Sequence, residues 1–88
     1  MTIKFSAKFE GELDRLSRSN LELVRLVKKQ LNLFLNNPKH PSLRNHKLSG
    51  INNLRSVSVN KSVRMVYLLE KDAACFVDIG THDEVYRK

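Results

Sequence analysis

The spacing of apolar residues along the chain changes from a helical period to a strand period near the middle. Ile3 to Phe5 is short and β-like, and Ser6 is a suitable N-cap for a helix through roughly Ser17. Apolar side chains recur in that helix every three or four residues, at Phe9, Leu13 and Leu16. The pattern predicts a first strand followed by an amphipathic helix.

A second, more strongly apolar helix is predicted next. Ser19-Asn-Leu-Glu22 has the pattern of a capping box, with Ser19 as the N-cap. Its apolar stripe consists of Val24, Val27, Leu31, Phe34 and Leu35, and Lys28, Lys29 and Gln30 lie largely off it. Asn36-Asn37-Pro38 predicts its end. Two helices joined by three or four residues would form an antiparallel hairpin.

Beyond Pro38 the pattern is that of strands and turns. Pro38 to Pro41 predicts an extended linker, and Leu43 to Gly50 is short and basic. Three strands are predicted, at Leu54–Val59, Val63–Leu69 and Ala73–Ile79. Gly80 is predicted to end the last strand, and Thr81-His-Asp-Glu84 to open a terminal helical turn as a capping box.

The element order β-α-α-β-β-β predicts one α+β domain over residues 1–88. The expected architecture is a small antiparallel sheet with the helical hairpin on one face. A chain of 88 residues has room for only a small core. Cys75 is alone, so an internal disulfide is excluded, and its apolar surroundings predict a buried, inert thiol.

The charge is concentrated in the middle of the chain. The formal net charge is +7, and no acidic residue occurs between Glu22 and Glu70. A long basic interval is typical of a nucleic-acid binder, although a solvated face or a surface for an acidic protein would have the same charge. No apolar run approaches the length of a membrane span, so we expect a soluble cytoplasmic protein.

Three segments, taken with the element order, resemble the RelE/ParE superfamily of bacterial toxins, and most closely its RelE/YafQ-like mRNA interferases. They are H-K-L-S-G from His46, V-R-M-V-Y from Val63, and D-I-G-T-H-D-E-V-Y from Asp78. The resemblance implies the toxin of a type II toxin–antitoxin pair that cuts messenger RNA, often at the ribosomal A site in the family, without a metal or another cofactor. It also implies an acidic antitoxin partner in a hetero-oligomer.

Metal-free cleavage of RNA by the ribose 2′-OH needs a base, an acid and a cation near the phosphate. The resemblance implies that His82, in the family's G-T-H motif, is the general acid. It implies that Arg64 grips the scissile phosphate and that Tyr86 stacks a base. His46 is predicted to act as base or to hold a phosphate.

Other interpretations of these residues stay open. Arg64 could pair with Asp78 or Glu70 on neighbouring strands, and His46 and His82 could be structural or merely exposed. Contacts to RNA phosphates, or simply solvated charges, are predicted for Lys47, Arg55 and Lys61.

The turn after the second predicted strand departs from the family pattern. Ser58, Asn60 and Ser62 stand where close relatives often carry a histidine and acidic residues, so the general base is not assigned. Two other functions therefore stay open. One is poisoning of DNA gyrase by the same fold, which would need neither His82 nor Tyr86. The other is non-catalytic binding of RNA or an antitoxin.

Overall fold

Two helices pack on one face of a five-stranded mixed sheet. A computed structural model describes residues 1–48 and 53–86, with the side chain of Tyr86 left out. The strands are β1 (Thr2–Phe5), β2 (His46–Lys47), β3 (Leu54–Ser58), β4 (Val63–Glu70) and β5 (Ala73–Thr81). The helices are α1 (Ala7–Ser19), α2 (Leu21–Asn36) and α3 (His82–Tyr86), and a 3₁₀ turn spans Pro41–Leu43.

The order of strands in the sheet is β1-β5-β4-β3-β2. The three pairs formed by β2 to β5 are antiparallel, whereas β1 lies parallel to β5. Because β1 and β5 are far apart in sequence, no hairpin turn forces them to be antiparallel. The predicted α+β class is confirmed, but the sheet is mixed and not wholly antiparallel as predicted. The two-residue strand β2 was also not predicted.

Aromatic rings form the centre of the core between the helices and the sheet. The ring of Phe76 lies 5.4 Å from that of Phe34, 5.8 Å from Phe9 and 5.2 Å from Tyr67, measured between centroids. Phe9 and Phe34 come from the apolar stripes of α1 and α2. Such offset and edge-to-face contacts add to the stabilisation from burial. The predicted helical spacing therefore supplies the core.

The opposite face of the sheet carries a smaller apolar cluster of Leu48, Val66 and Val85. Helix α3 packs there against β4 and β5. Within residues 1–48 and 53–86, no helix is long and apolar enough to cross a bilayer. Most of this face is not covered by α1 or α2, and the candidate site lies on it.

The junction between α1 and α2 differs from the prediction. Helix α1 continues through Ser19, whose hydroxyl donates to the carbonyl of Arg15, so Ser19 is not the N-cap of α2. Asn20 has that role, because its Oδ1 accepts from the backbone N–H of Leu23 at 3.1 Å. The predicted cap of α1 is confirmed, since Ser6 Oγ accepts from Phe9 N–H at 3.1 Å.

Gly80 does not end the last strand, because β5 continues through it to Thr81. A Cβ atom at Gly80 would lie 2.8 Å from Oε1 of Glu84, so a larger residue here would displace the Glu84 side chain that caps α3. The predicted burial of Cys75 is also only partial, since this free thiol lies on β5 at an intermediate position.

Two predictions around α2 also need correction. The segment predicted as an extended linker ends in the 3₁₀ turn, which begins at Pro41 because proline suits the first position of a helix. Gln30, predicted to lie off the apolar stripe, is buried, and its Nε2 donates to the carbonyl of Ser58 at 2.8 Å. This hydrogen bond compensates for burying the amide and ties α2 to β3.

Candidate active site

Arg64 is buried in the sheet and held by neutral oxygen atoms. Only 8% of the residue is exposed. Its Nε donates to Ser56 Oγ at 3.0 Å, and its Nη2 donates to the carbonyls of Arg44 at 2.8 Å and Ser56 at 3.3 Å. These contacts fix the guanidinium without neutralising it, so its charge remains available to an anion.

The ion pairs proposed as alternatives for Arg64 are formed by other residues. Asp78 Oδ1 lies 3.5 Å from the ammonium of Lys8, and Glu70 Oε1 lies 3.5 Å from that of Lys4. The register places Gly80, and not Asp78 or Glu70, opposite Arg64 on β5. Among its described contacts, Arg64 therefore forms no ion pair with either carboxylate.

His46 lies on β2 directly opposite Ser56, the serine that holds Arg64. Although the residue is solvent-accessible as a whole, partial burial of its ring lowers its pKa from the ordinary value of 6.5, and the charge of Arg64 lowers it further. A hydrogen bond to the backbone of Arg44 acts in the opposite direction. A lowered pKa keeps the imidazole neutral near neutral pH, and a neutral imidazole can accept a proton.

His82 begins α3 and is exposed. The predicted capping box is confirmed: Thr81 N–H donates to Glu84 Oε1 at 2.7 Å, and Glu84 N–H donates to Thr81 Oγ1 at 3.2 Å. The backbone N–H of His82 donates to the carbonyl of Ser62, next to the start of β4. These bonds place the imidazole at the end of the strand pair that carries Arg64.

The structure brings three of the predicted site residues into one region. Arg64 and His46 both bond to the backbone of Arg44, and the charge of His82 contributes to the lowered pKa of His46. The side chain of the fourth, Tyr86, lies outside the described residues, as do Ser49 and Gly50 of the H-K-L-S-G segment. The histidines and the arginine thus share one face and one end of the sheet.

The predicted RNA contacts are more dispersed. Arg55 pairs with Tyr67 of the helix-side core, so strand alternation turns it to the opposite face from Arg64. Its Nε donates to Asn45 Oδ1 at 2.9 Å. Lys47 lies opposite Arg55 on the edge strand, whereas Lys61 is exposed in the β3–β4 turn.

Sequence reasoning missed two residues that position the arginine. Arg44 has left-handed backbone angles, with φ at 46° and ψ at 49°, and its carbonyl accepts from Arg64. Ser56 is fully buried in the middle of β3. A serine at an inward-facing strand position signals a buried polar partner, because an unpaired hydroxyl there would be destabilising. Nothing in the sequence around Arg44 marks its carbonyl as an acceptor.

The residues that depart from the family pattern build the β3–β4 turn. Asn60 Oδ1 accepts from the backbone N–H groups of Ser62 and Val63, both at 2.8 Å. Ser58 Oγ donates to the carbonyl of Asn60 at 2.8 Å. This turn is held by an Asx-type arrangement, so these side chains are occupied in local structure.

No protein-family profile matches the sequence, and no curated protein matches it either. Solved structures do match. A metal-bound toxin from Helicobacter pylori is 28% identical, has a TM-score of 0.77, and the match covers 97% of this chain and 98% of that one. A YoeB/ParE toxin from Agrobacterium tumefaciens is 13% identical with a TM-score of 0.80, over 93% of this chain and 99% of that one.

A chain of the DinJ–YafQ complex from E. coli is 21% identical and has a TM-score of 0.78, with 96% of each chain covered. The resemblance inferred from the sequence is therefore confirmed at the level of the fold. The chain has the fold of the RelE/YafQ-like toxins over nearly its whole length.

Proposed function

We propose that the protein is the toxin of a toxin–antitoxin pair and that it acts as a metal-free endoribonuclease on messenger RNA. The observation that carries the proposal is Arg64, a buried cation fixed by three neutral acceptors beside a histidine with a lowered pKa. An arginine so held is suited to a phosphate, because its charge and part of its donor fork are already oriented.

In the proposed reaction, the ribose 2′-oxygen forms a bond to the adjacent phosphorus and the bond from phosphorus to the 5′-oxygen breaks. His46 accepts the proton of the 2′-OH, a role that its neutral ring supports. His82 donates a proton to the leaving 5′-oxygen, and Arg64 stabilises the charge that develops on the phosphoryl oxygens. The products are a 2′,3′-cyclic phosphate and a 5′-hydroxyl.

Two partners follow from this proposal. The substrate is messenger RNA, presented at the ribosomal A site, where Tyr86 would stack on a base. The second partner is an acidic antitoxin. The E. coli structure named above is a complex of YafQ with DinJ, which supports a partner of this kind.

The test is cleavage of a single-stranded RNA by the purified protein, followed by analysis of the new ends. We expect 2′,3′-cyclic phosphate ends, and we expect His82→Gln to slow cleavage by roughly 10²–10⁴-fold through loss of proton transfer. His40→Gln is the matched control, because His40 lies in the α2–β2 connection and its imidazole bonds, among the described contacts, only to Ser42. Thermal melts of both variants report on folding.

Two results would contradict the proposal. One is intact RNA, with or without ribosomes, from a protein that nevertheless arrests growth and inhibits DNA gyrase, which would identify a gyrase poison. The other is a His82→Gln variant that cuts at the parental rate, which would remove His82 from the mechanism.

A further inference from the structure

A carboxylate-free hollow adjoins the candidate site. It has a volume of about 350 Å³ and lies between α2, the 3₁₀ turn and the β3–β4 turn. Three basic residues, Lys29, Arg44 and Lys61, line it together with the polar side chains of Gln30 and Asn60. None of the described residues that line it is acidic, so its potential is positive.

The hollow on the other side of β4 has a different charge. It lies between α1, β5 and α3, has a volume of about 320 Å³, and is lined by Glu12, Asp78 and Glu84 as well as by Lys8 and Arg15. Three carboxylates offset its two cations. A polyanion that binds at Arg64 is therefore attracted towards the first hollow and repelled by the acidic groups of the second.

Two residues connect the basic hollow to the buried arginine. Arg44 lines the hollow, and its carbonyl accepts from Arg64 Nη2 at 2.8 Å. Ser58 also lines it and stands directly opposite Arg64 on the neighbouring strand. Arg44 and Ser58 therefore join the hollow, which lies on the α2 side of β3, to Arg64 on the opposite face of the sheet.

The wall of the hollow is rigid where it meets the core. Gln30 is buried, and its Nε2 donates to the carbonyl of Ser58 at 2.8 Å. This bond holds the α2 segment that carries Lys29 against β3. A cation on a fixed helix meets a phosphate with less loss of conformational entropy than one on a mobile loop.

We propose that this hollow is the track of the RNA strand next to the scissile phosphate, with the phosphates of flanking nucleotides bound by Lys29, Arg44 and Lys61. The proposal rests on the ribonuclease function proposed above and adds the direction in which the strand leaves Arg64. A concave surface of cations and hydrogen-bonding side chains fits a nucleic-acid backbone, whereas the centres of protein interfaces are depleted in charge.

The experiment compares Lys29→Gln with Lys28→Gln. Both lysines are exposed on α2 and each substitution removes one positive charge, but Lys28 does not line the hollow. The probe is a single-stranded RNA oligonucleotide whose 2′-O-methyl groups prevent cleavage, and binding is followed by fluorescence anisotropy over a range of salt concentrations. Loss of one phosphate contact lowers the slope of log K against log salt by about 0.7 for a single strand.

We expect Lys29→Gln to weaken binding of the RNA and to reduce the slope of log K against log salt by about 0.7. Lys28→Gln should keep the parental slope. Equal slopes for the two variants would overturn the proposal. So would a Lys29→Gln protein that binds RNA normally but loses its antitoxin, since the hollow would then be a protein-docking surface. Cleavage of unmodified RNA by the parental protein tests the ribonuclease function separately. A wrong RNA track and a missing ribonuclease activity would therefore give different results.

Discussion

At the scale of single residues, the unusual feature is a buried cation surrounded by neutral acceptors. Taking a guanidinium out of water is costly unless hydrogen bonds and an opposite charge compensate. Ser56 and the carbonyl of Arg44 supply the hydrogen bonds to Arg64. A bound phosphate would supply the charge. If Arg64 binds the scissile phosphate as proposed, its guanidinium is already oriented before the anion arrives, as electrostatic catalysis requires.

The same arrangement makes the site sensitive to pH. Burial first, and then the charge of Arg64, disfavour the protonated ring of His46 and lower its pKa below 6.5. Between the folded pKa and 6.5, the unfolded chain binds more protons than the folded one at this position. The contribution of His46 to stability is therefore present above pH 6.5 and is lost as the pH falls through that window.

An NMR titration of labelled protein should place the pKa of His46 below 6.5. Arg64→Gln should raise that pKa, because it removes the positive charge that lowers the pKa most. Lys47→Gln is the matched control, since it removes one charge from the adjacent residue, whose side chain points to the other face of the sheet. Equal shifts in the two variants would mean that Arg64 has no specific effect on His46.

At the scale of elements, a single residue joins the two long helices. The backbone N–H of Asn20 donates to the carbonyl of Leu16 at the end of α1, and its side chain caps the start of α2. The predicted connection of three or four residues is therefore reduced to one. The capping-box pattern predicted Ser19, and this was wrong because the adjacent Asn20 is an equally good N-cap residue.

Substitutions at Asn20 and Ser19 should show which of the two residues is the N-cap of α2. Asn20→Ala should lower the free energy of unfolding by about 1 kcal/mol, because the N–H of Leu23 loses its acceptor. Ser19→Ala should change stability by less than about 0.5 kcal/mol, since it removes only an exposed bond to the preceding turn. Urea denaturation of both variants measures the difference. A larger loss in the Ser19 variant would restore Ser19 as the cap.

At the scale of the whole molecule, the charge is segregated around the sheet. The net charge is +7, and the acid-free interval from Glu22 to Glu70 contributes both Arg64 and the hollow that carries Lys29 and Lys61. The acidic groups near the site belong to α1, β5 and α3. An acidic antitoxin and an RNA strand would therefore be attracted to the same side of the molecule.

Binding of the proposed acidic antitoxin should consequently depend on ionic strength. Attraction between exposed charges is screened by salt, so we expect the association rate with a small acidic antitoxin to fall steeply from low to high salt, with a smaller change in the dissociation rate. Surface plasmon resonance on the purified pair measures both rates. An association rate that is independent of salt would show that the antitoxin docks away from the basic face.

The sequence by itself determined most of the helices and strands and the candidate residues that they carry. Features that depend on residues close together in the chain were predicted. They are the helices α1 and α2, the strands β3 to β5 and the Thr81–Glu84 capping box. The candidate residues Arg64, His46 and His82 were likewise identified from local motifs.

The tertiary structure alone decided how these residues meet. Arg64 is oriented by the carbonyl of Arg44, 20 residues away in sequence, and Arg55 is turned to the opposite face by the register of β3 with β4. The parallel pairing of β1 with β5 joins the two ends of the chain. A carbonyl acceptor is present at every residue, so only the path of the backbone in space determines which one a distant side chain reaches.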